Sequence, residues 1–207
     1  MAASSRSTFL DPLLEKNPVM GQSLGICPAL AITTLVENAV AMAAATTAVL
    51  ALSNLSISLI RKLIPDSVRI IIYLVIVASL VIVADQILRA FFPDLSAQLS
   101  VYVGLIITNC IILGRADAFA AQNGPVLSTL DGLGNGVGYG LVIVVVASIR
   151  EVLGSGTFLG HPVLATTATD GWFETLGLMT APAGAFFVVM VLIWILRAWK
   201  TDQVEEG

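Results

Sequence analysis

Cys27 and Cys110 are the only two cysteines in the chain, and each lies in an apolar stretch interrupted by residues that break helices. Gly25 and Pro28 flank the first; Asn109 flanks the second. Buried cysteine often serves only as a small apolar side chain. Thiols facing a reducing cytosol rarely stay paired as a disulfide. The chemically richer reading is metal binding, because soft thiolates select zinc, copper(I) or iron–sulfur clusters. A cluster usually takes four cysteines. Two thiolates are half a site, so a second polypeptide or a second copy would have to supply the rest. Broken helices suit such a group, because backbone amides freed from helical bonding can donate to its sulfurs.

Glu37 and Asp117 each follow one of these broken stretches. Carboxylates inside a membrane are costly and usually functional, and hard cations take oxygen ligands. Both are therefore candidates for an ion path, against the plainer alternative of solvated acids at the membrane surface. Asp85 follows an apolar run and reads as interfacial. Arg115 and Arg150 can pair with acids, but snorkelling toward the interface is their default. Asn109 reads as structural, since an amide is a poor iron ligand beside thiolate. His161, next to Pro162, reads as passive.

The elements that must position these groups are apolar helices. Hydrophobic residues make up 57% of the chain and charged residues 12%, against roughly half and a quarter in soluble domains. Mean hydropathy is +0.94. So much apolar side chain requires lipid as a solvent, and the fold class expected is an all-α integral membrane protein. The net charge of −4, without a basic cluster, argues against a nucleic-acid partner. Gly132-x-Gly134-x-Gly136 lies in an apolar run rather than between a strand and a helix, so it is no dinucleotide fingerprint. The N-terminus lacks the pattern of a cleaved signal peptide.

Charged residues divide the chain into uncharged windows at residues 17–36, 38–60, 70–84, 95–114, 132–149 and 175–196. A bilayer core needs about 20 helical residues, with a range of about 17 to 25. Six spans are therefore expected, with 70–84 a little short. No alternating barrel pattern is present. The first window holds Gly21, Gln22, Ser23, Gly25 and Pro28; the fourth opens with Ser96, Gln98 and Ser100. Both are expected to be broken or half-length helices inside protein, where their backbone can be satisfied. Six spans put Arg6, Lys16, Arg61, Lys62, Arg69, Arg115, Arg197 and Lys200 on one side, and only Arg89 and Arg150 on the other. Both termini should then be cytoplasmic, and residues 154–170 lie outside. Trp172 and Trp199 fit aromatic belts. Residues 200–207 read as a frayed tail.

The chain reads as a single membrane domain, residues 1–207, with a polar N-terminal segment at 1–15 and two halves at about 16–92 and 93–200. Each half holds a broken span with one cysteine, then a carboxylate, then a long span ending Ser58-Leu59-Ile60-Arg61 or Ser148-Ile149-Arg150, then a third span. Three spans per half make the halves inverted repeats, which place sites near the midplane at unwound helices. Gly132, Gly136 and Gly140 share one helical face and permit close packing; a hinge there is the lesser reading.

Leu24-Gly25-Ile26-Cys27-Pro28-Ala29-Leu30-Ala31, Ser67-Val68-Arg69-Ile70 and the run from Ile107-Thr108-Asn109-Cys110 through Arg115-Ala116-Asp117-Ala118-Phe119-Ala120 resemble the NqrD/RnfE family. So do Asp131-Gly132-Leu133-Gly134-Asn135-Gly136 and Arg150-Glu151-Val152-Leu153-Gly154-Ser155-Gly156. The resemblance runs from about residue 14 to 204 and leans to the Nqr branch.

It implies a membrane subunit of the Na+-translocating NADH:quinone reductase of the bacterial inner membrane. The homologous subunit NqrE would be the inverted partner, with NqrA, NqrB, NqrC and NqrF completing the complex. Cys27 and Cys110 match the family's ligand positions for an iron–sulfur cluster, of the 2Fe-2S type, shared with NqrE. The cluster would relay electrons across the membrane, coupled to export of Na+. NADH, FAD, FMN, riboflavin and quinone would bind other subunits, so this chain carries no complete active site. The family's Arg-Ala-Glu reads Arg115-Ala116-Asp117 here, which keeps the charge on a shorter arm. The residues alone set no cluster nuclearity. Competing readings are an RnfE-type subunit of a ferredoxin:NAD oxidoreductase, a stand-alone secondary transporter, and a structural scaffold for other redox subunits.

Overall fold

The computed structural model describes residues 18–19, 24–65, 67–91, 103–158, 161–162 and 177–199. Among these, helices dominate. They are α1 (Ile26–Ile32), α2 (Val36–Ile60), α3 (Arg69–Phe91), α4 (Val103–Ile107), α5 (Cys110–Arg115), α6 (Pro125–Ser155), α7 (Gly177–Thr180) and α8 (Pro182–Trp199). A π-helical turn, Ala116–Ala120, follows α5 directly. Two two-residue strands, β1 (Thr157–Phe158) and β2 (His161–Pro162), pair antiparallel with Phe158 opposite His161.

The chain forms two compact units that alternate along the sequence. The first comprises Met1–Pro28 and Val40–Val142; the second comprises Ala29–Ala39 and Ile143–Gly207. The boundary expected between repeats, near residues 92 and 93, falls outside the described residues.

Three described helices are long and apolar enough to cross a membrane: α2, residues 69–87 of α3, and α6. Residues 182–195 of α8 form a shorter apolar helix. Alanine-rich α2 bonds several of its hydroxyls to its own carbonyls: Thr47 Oγ1 donates to Ala43 O at 2.7 Å and Ser56 Oγ to Leu52 O at 2.9 Å. Helix α6 starts on Pro125, where the missing N–H breaks no helical bond. The window at 70–84 is not short in the fold. Helix α3 runs on past Asp85 to Phe91, because Asp85 pairs with Arg89 one turn away at 2.9 Å. Its exposed Ile70, Ile71, Val75, Ile82 and Val83 would be a liability in water and are ordinary against lipid.

The first and fourth windows contain only short helices. Within the first, α1 has seven residues and stops before Thr33, Thr34 and Leu35. Within the fourth, α4 has five residues, breaks at Thr108 and Asn109, and resumes as α5 with six. Gly21, Gln22, Ser23, Ser96, Gln98 and Ser100 lie outside the described residues, as do the segments at 1–15 and 200–207 and Trp172. The sixth window bends at Ala181, between α7 and α8. Residues 154–170 were expected to be loop; their described part holds the end of α6, Gly156 at φ +69° and the β1–β2 hairpin.

Within the first unit, α2 and α6 pack backbone to backbone. A Cβ added at Gly132 would stand 2.9 Å from the Ala51 Cα, one at Gly136 would stand 2.8 Å from the Thr47 Cα, and one at Gly140 would stand 2.9 Å from the Ala43 Cβ. Both contact rows advance four residues at a time in opposite directions, so the helices run antiparallel through this contact. The glycines therefore pack, as their spacing predicts. Ile57, Tyr73, Ala116 and Ala120 form a buried cluster with Ile64, Ile76 and Leu113, which joins the end of α2, the start of α3 and the π turn.

A thiol pair at two helix breaks

Both cysteines sit in the first unit, each at the start of a short helix. Cys27 is the second residue of α1 and Cys110 the first of α5. Gly25, just before α1, adopts φ +81°. That conformation costs a residue with a Cβ about 1–2 kcal/mol. It turns the Gly25 N–H onto Cys110 Sγ, at 2.9 Å. A bond across 85 sequence positions thus ties one cysteine's break to the other. Pro28 cannot bond the Leu24 carbonyl, so helix cannot run through residues 24 and 25. It sits in the first turn of α1, where no N–H is needed, and so helps start the helix.

Asn109 caps α5: its Oδ1 accepts the Ile111 N–H at 3.3 Å. This is the structural role expected of it. Its Nδ2 is buried without a hydrogen-bond partner. Tyr139, on α6, is fully buried with its ring against Gly25, whose hypothetical Cβ would stand 2.7 Å from the Tyr139 Cε2. The phenol lies beside the Asn109 amide and within electrostatic range of both cysteine sulfurs. Its hydroxyl, too, has no partner.

Cys27 is exposed, Cys110 is half-buried, and both are free thiols. Among the described residues no group of three or more His, Cys, Asp or Glu could enclose a metal ion. The donor set is therefore two sulfurs with an amide donor already on one, and two further donors buried unused beside them. Such a set fits an anionic, sulfur-rich group completed from outside the chain. It fits a hard cation poorly.

The two candidate acids lie in different settings. Glu37 is exposed in the first turn of α2, where a negative charge suits the helix N-terminus. Asp117 sits in the π turn and pairs with Arg69 at 3.1 Å, both side chains about two-fifths exposed. The most buried ion pair among the described residues joins Arg115 to Asp131, an acid read in the sequence as a window boundary. Asp131, 1% exposed on α6, takes both Arg115 Nε, at 2.9 Å, and Arg115 Nη2, and accepts the Asn135 amide at 3.0 Å. The arginine also lies over the Phe119 ring. Arg115 therefore pairs rather than snorkels.

Snorkelling is wrong for Arg150 as well. In the second unit its guanidinium is buried and donates to Thr33 Oγ1 at 2.5 Å, Met179 O at 3.0 Å and Ala181 O at 3.2 Å. It gathers the carbonyls and hydroxyl freed at the bends after α1 and before α8. Next to it, Glu151 is buried and accepts the Val36 N–H at 2.7 Å and the Thr157 hydroxyl at 3.3 Å. His161 falls in β2, and its side chain lies outside the described residues. Tyr139, Asp131 and Glu151 were not singled out in the sequence. The one available signal for Tyr139 was a lone polar aromatic between two glycines in an otherwise aliphatic run.

Long apolar helices, with Asp131, Arg150 and Glu151 buried and bonded inside the protein, define the class of an integral membrane protein. The chain belongs to the Rnf-Nqr family: the family model described as Rnf-Nqr subunit, membrane protein, matches residues 5–193. It is 50% identical to the D subunit of the Na(+)-translocating NADH-quinone reductase of Shewanella piezotolerans, over 99% of this chain and 97% of that protein. The proteins of the same name from Haemophilus ducreyi and Haemophilus influenzae are 51% and 52% identical, over 97% and 98% of this chain and equal shares of their own lengths.

Proposed function

We propose that this chain is the D subunit of a sodium-translocating NADH:quinone reductase in a bacterial inner membrane. Its part is to supply Cys27 and Cys110 as half of the ligands of an iron–sulfur cluster, of the 2Fe-2S type. The other half would come from a homologous NqrE-type partner. NADH, FAD, FMN, riboflavin and quinone belong to other subunits, of the NqrA, NqrB, NqrC and NqrF types. Near-full-length similarity to the D subunits of such reductases supports the assignment. The observation that carries the redox role is the Gly25 N–H directed at Cys110 Sγ from a left-handed glycine.

Cys27 and Cys110 would hold the cluster, which would supply one-electron transfer within some 30 Å of hydrocarbon. The protein's residues do the rest. Gly25 directs an amide at sulfur, Asn109 fixes the start of α5 and so the Cys110 thiol, and the Tyr139 ring closes over Gly25. Amide donors on sulfur offset negative charge and tune a potential.

Six spans in two inverted repeats, about 16–92 and 93–200, with both termini cytoplasmic, are part of this reading. Reciprocal hydrogen bonds support the repeat. Ser58 near the end of α2 donates to Asn123 O, ahead of α6, at 2.6 Å; Glu151 near the end of α6 accepts the N–H of Val36, at the start of α2. Glu37 and Asp117 are this chain's candidates for oxygen contacts along a sodium path.

The test uses the whole complex. Cys27→Ala and Cys110→Ala should each remove iron from the co-purified membrane subunits, together with a paramagnetic signal seen on reduction, while assembly persists. Unchanged iron and signal in both variants would end the redox role. Loss of assembly with iron retained would instead favour a scaffold, and ion transport by the purified chain alone would favour a transporter.

A further inference from the structure

Three hydrogen-bond donors lie at or beside the residues that carry the thiols, and one of them is on a sulfur. Gly25 N–H is on Cys110 Sγ. Asn109 Nδ2 and the Tyr139 hydroxyl are buried side by side, and neither makes a well-formed hydrogen bond. A buried hydroxyl without a partner is expensive, and native structures seldom keep one without cause. Tyr139 cannot turn away to find another. Its ring is fully buried on α6 and lies against Gly25, two residues before Cys27. The Gly25 that the ring covers is the residue whose N–H is on Cys110 Sγ. The Asn109 Nδ2 can donate to the phenol oxygen but cannot accept its proton, and Asn109 Oδ1 is already on the Ile111 N–H, so the hydroxyl proton remains to be accounted for.

We propose that the Tyr139 hydroxyl donates a hydrogen bond to sulfur of the group held by Cys27 and Cys110, raising that group's reduction potential. The inference rests on the proposed cluster and adds to it a residue from a third helix. Reduction adds negative charge to the sulfurs, so a donor aimed at them favours the reduced form. The residue tunes the group and does not hold it.

The experiment compares the parent complex with Tyr139→Phe, which keeps the ring against Gly25. Iron and sulfide content should be unchanged. The one-electron equilibrium should shift about tenfold toward the oxidised form, about 59 mV lower in a potentiometric titration followed by paramagnetic resonance. Pulsed resonance in deuterated buffer should show an exchangeable proton coupling in the parent that is lost in the variant. An unchanged potential and coupling at full iron content would overturn the proposal, and so would iron loss from an assembled variant, which would make the hydroxyl a holding group. Tyr139→Leu, which removes ring and hydroxyl together, separates packing from tuning. Iron loss there with iron retained in Tyr139→Phe supports the assignment, whereas matching potentials in the two variants and the parent refute it. Failure of the cluster itself is read separately, from iron retained in the two cysteine variants.

Discussion

The N–H of Gly25 points at the sulfur of Cys110 from 2.9 Å, across 85 positions of sequence. Neither residue could be moved far without the other. The glycine's positive φ sets the direction of the amide, and the cap at Asn109 sets the position of the thiol.

Gly25→Ala is expected to fail twice over. The left-handed conformation costs about 1–2 kcal/mol with a Cβ. The new methyl would also meet the Tyr139 ring at 2.7 Å, an overpacking cost of about 1–3 kcal/mol. The measurable outcome is loss of iron from the assembled complex with membrane insertion intact. Parent-level iron in Gly25→Ala would mean that the amide direction is dispensable.

The α2–α6 contact should tolerate no side chain at its centre. Gly136→Ala puts a methyl 2.8 Å from the Thr47 Cα, a backbone atom with nowhere to go. The expected cost is about 1–3 kcal/mol, read as a lower melting midpoint in detergent. Gly104→Ala, in α4, has nothing within 4 Å of its new methyl and serves as the control. In a helix it should be neutral or gain up to about 1 kcal/mol. Equal midpoints for the two variants would refute the packing argument.

Two ion pairs should differ sharply in what their loss does. Asp131→Ala leaves the mostly buried Arg115 charge without its counter-charge, and removing one partner of a buried pair costs about 3–5 kcal/mol. Asp117→Ala breaks a pair whose side chains are about two-fifths exposed, worth about 0–1 kcal/mol. Expression level and thermal stability of the two variants should separate accordingly. A stable Asp131→Ala protein beside an unstable Asp117→Ala protein would reverse the ranking.

Much of the fold could be read in advance because its solvent is one-sided. In lipid every backbone group must be satisfied internally, so uncharged runs become helices and their lengths are constrained. That logic located α2, α3 and α6, and it marked 17–36 and 95–114 as broken; in the second of these the signal was Ser96, Gln98 and Ser100, outside the described residues, whereas the described break falls at Thr108 and Asn109. It misjudged ends, because it treated each charge as a boundary. Asp85 and Arg89 satisfy each other within α3, and Asp131, Arg150 and Glu151 all lie inside α6. A charge stops a span only when nothing inside the protein can neutralise it.

The sequence by itself determined that this is a membrane protein with apolar helices, that its two thiols lie at helix breaks, and that Gly132, Gly136 and Gly140 form a packing face. Those follow from composition and from local spacing, which the chain carries wherever it folds. Only the tertiary structure decided that Gly25 serves Cys110, that Tyr139 stands over both breaks, and that Arg150 turns inward to gather carbonyls rather than outward to the interface. Those depend on distances between residues far apart in the chain. No periodicity encodes them, because each is fixed by which backbone groups the neighbouring helices leave unsatisfied.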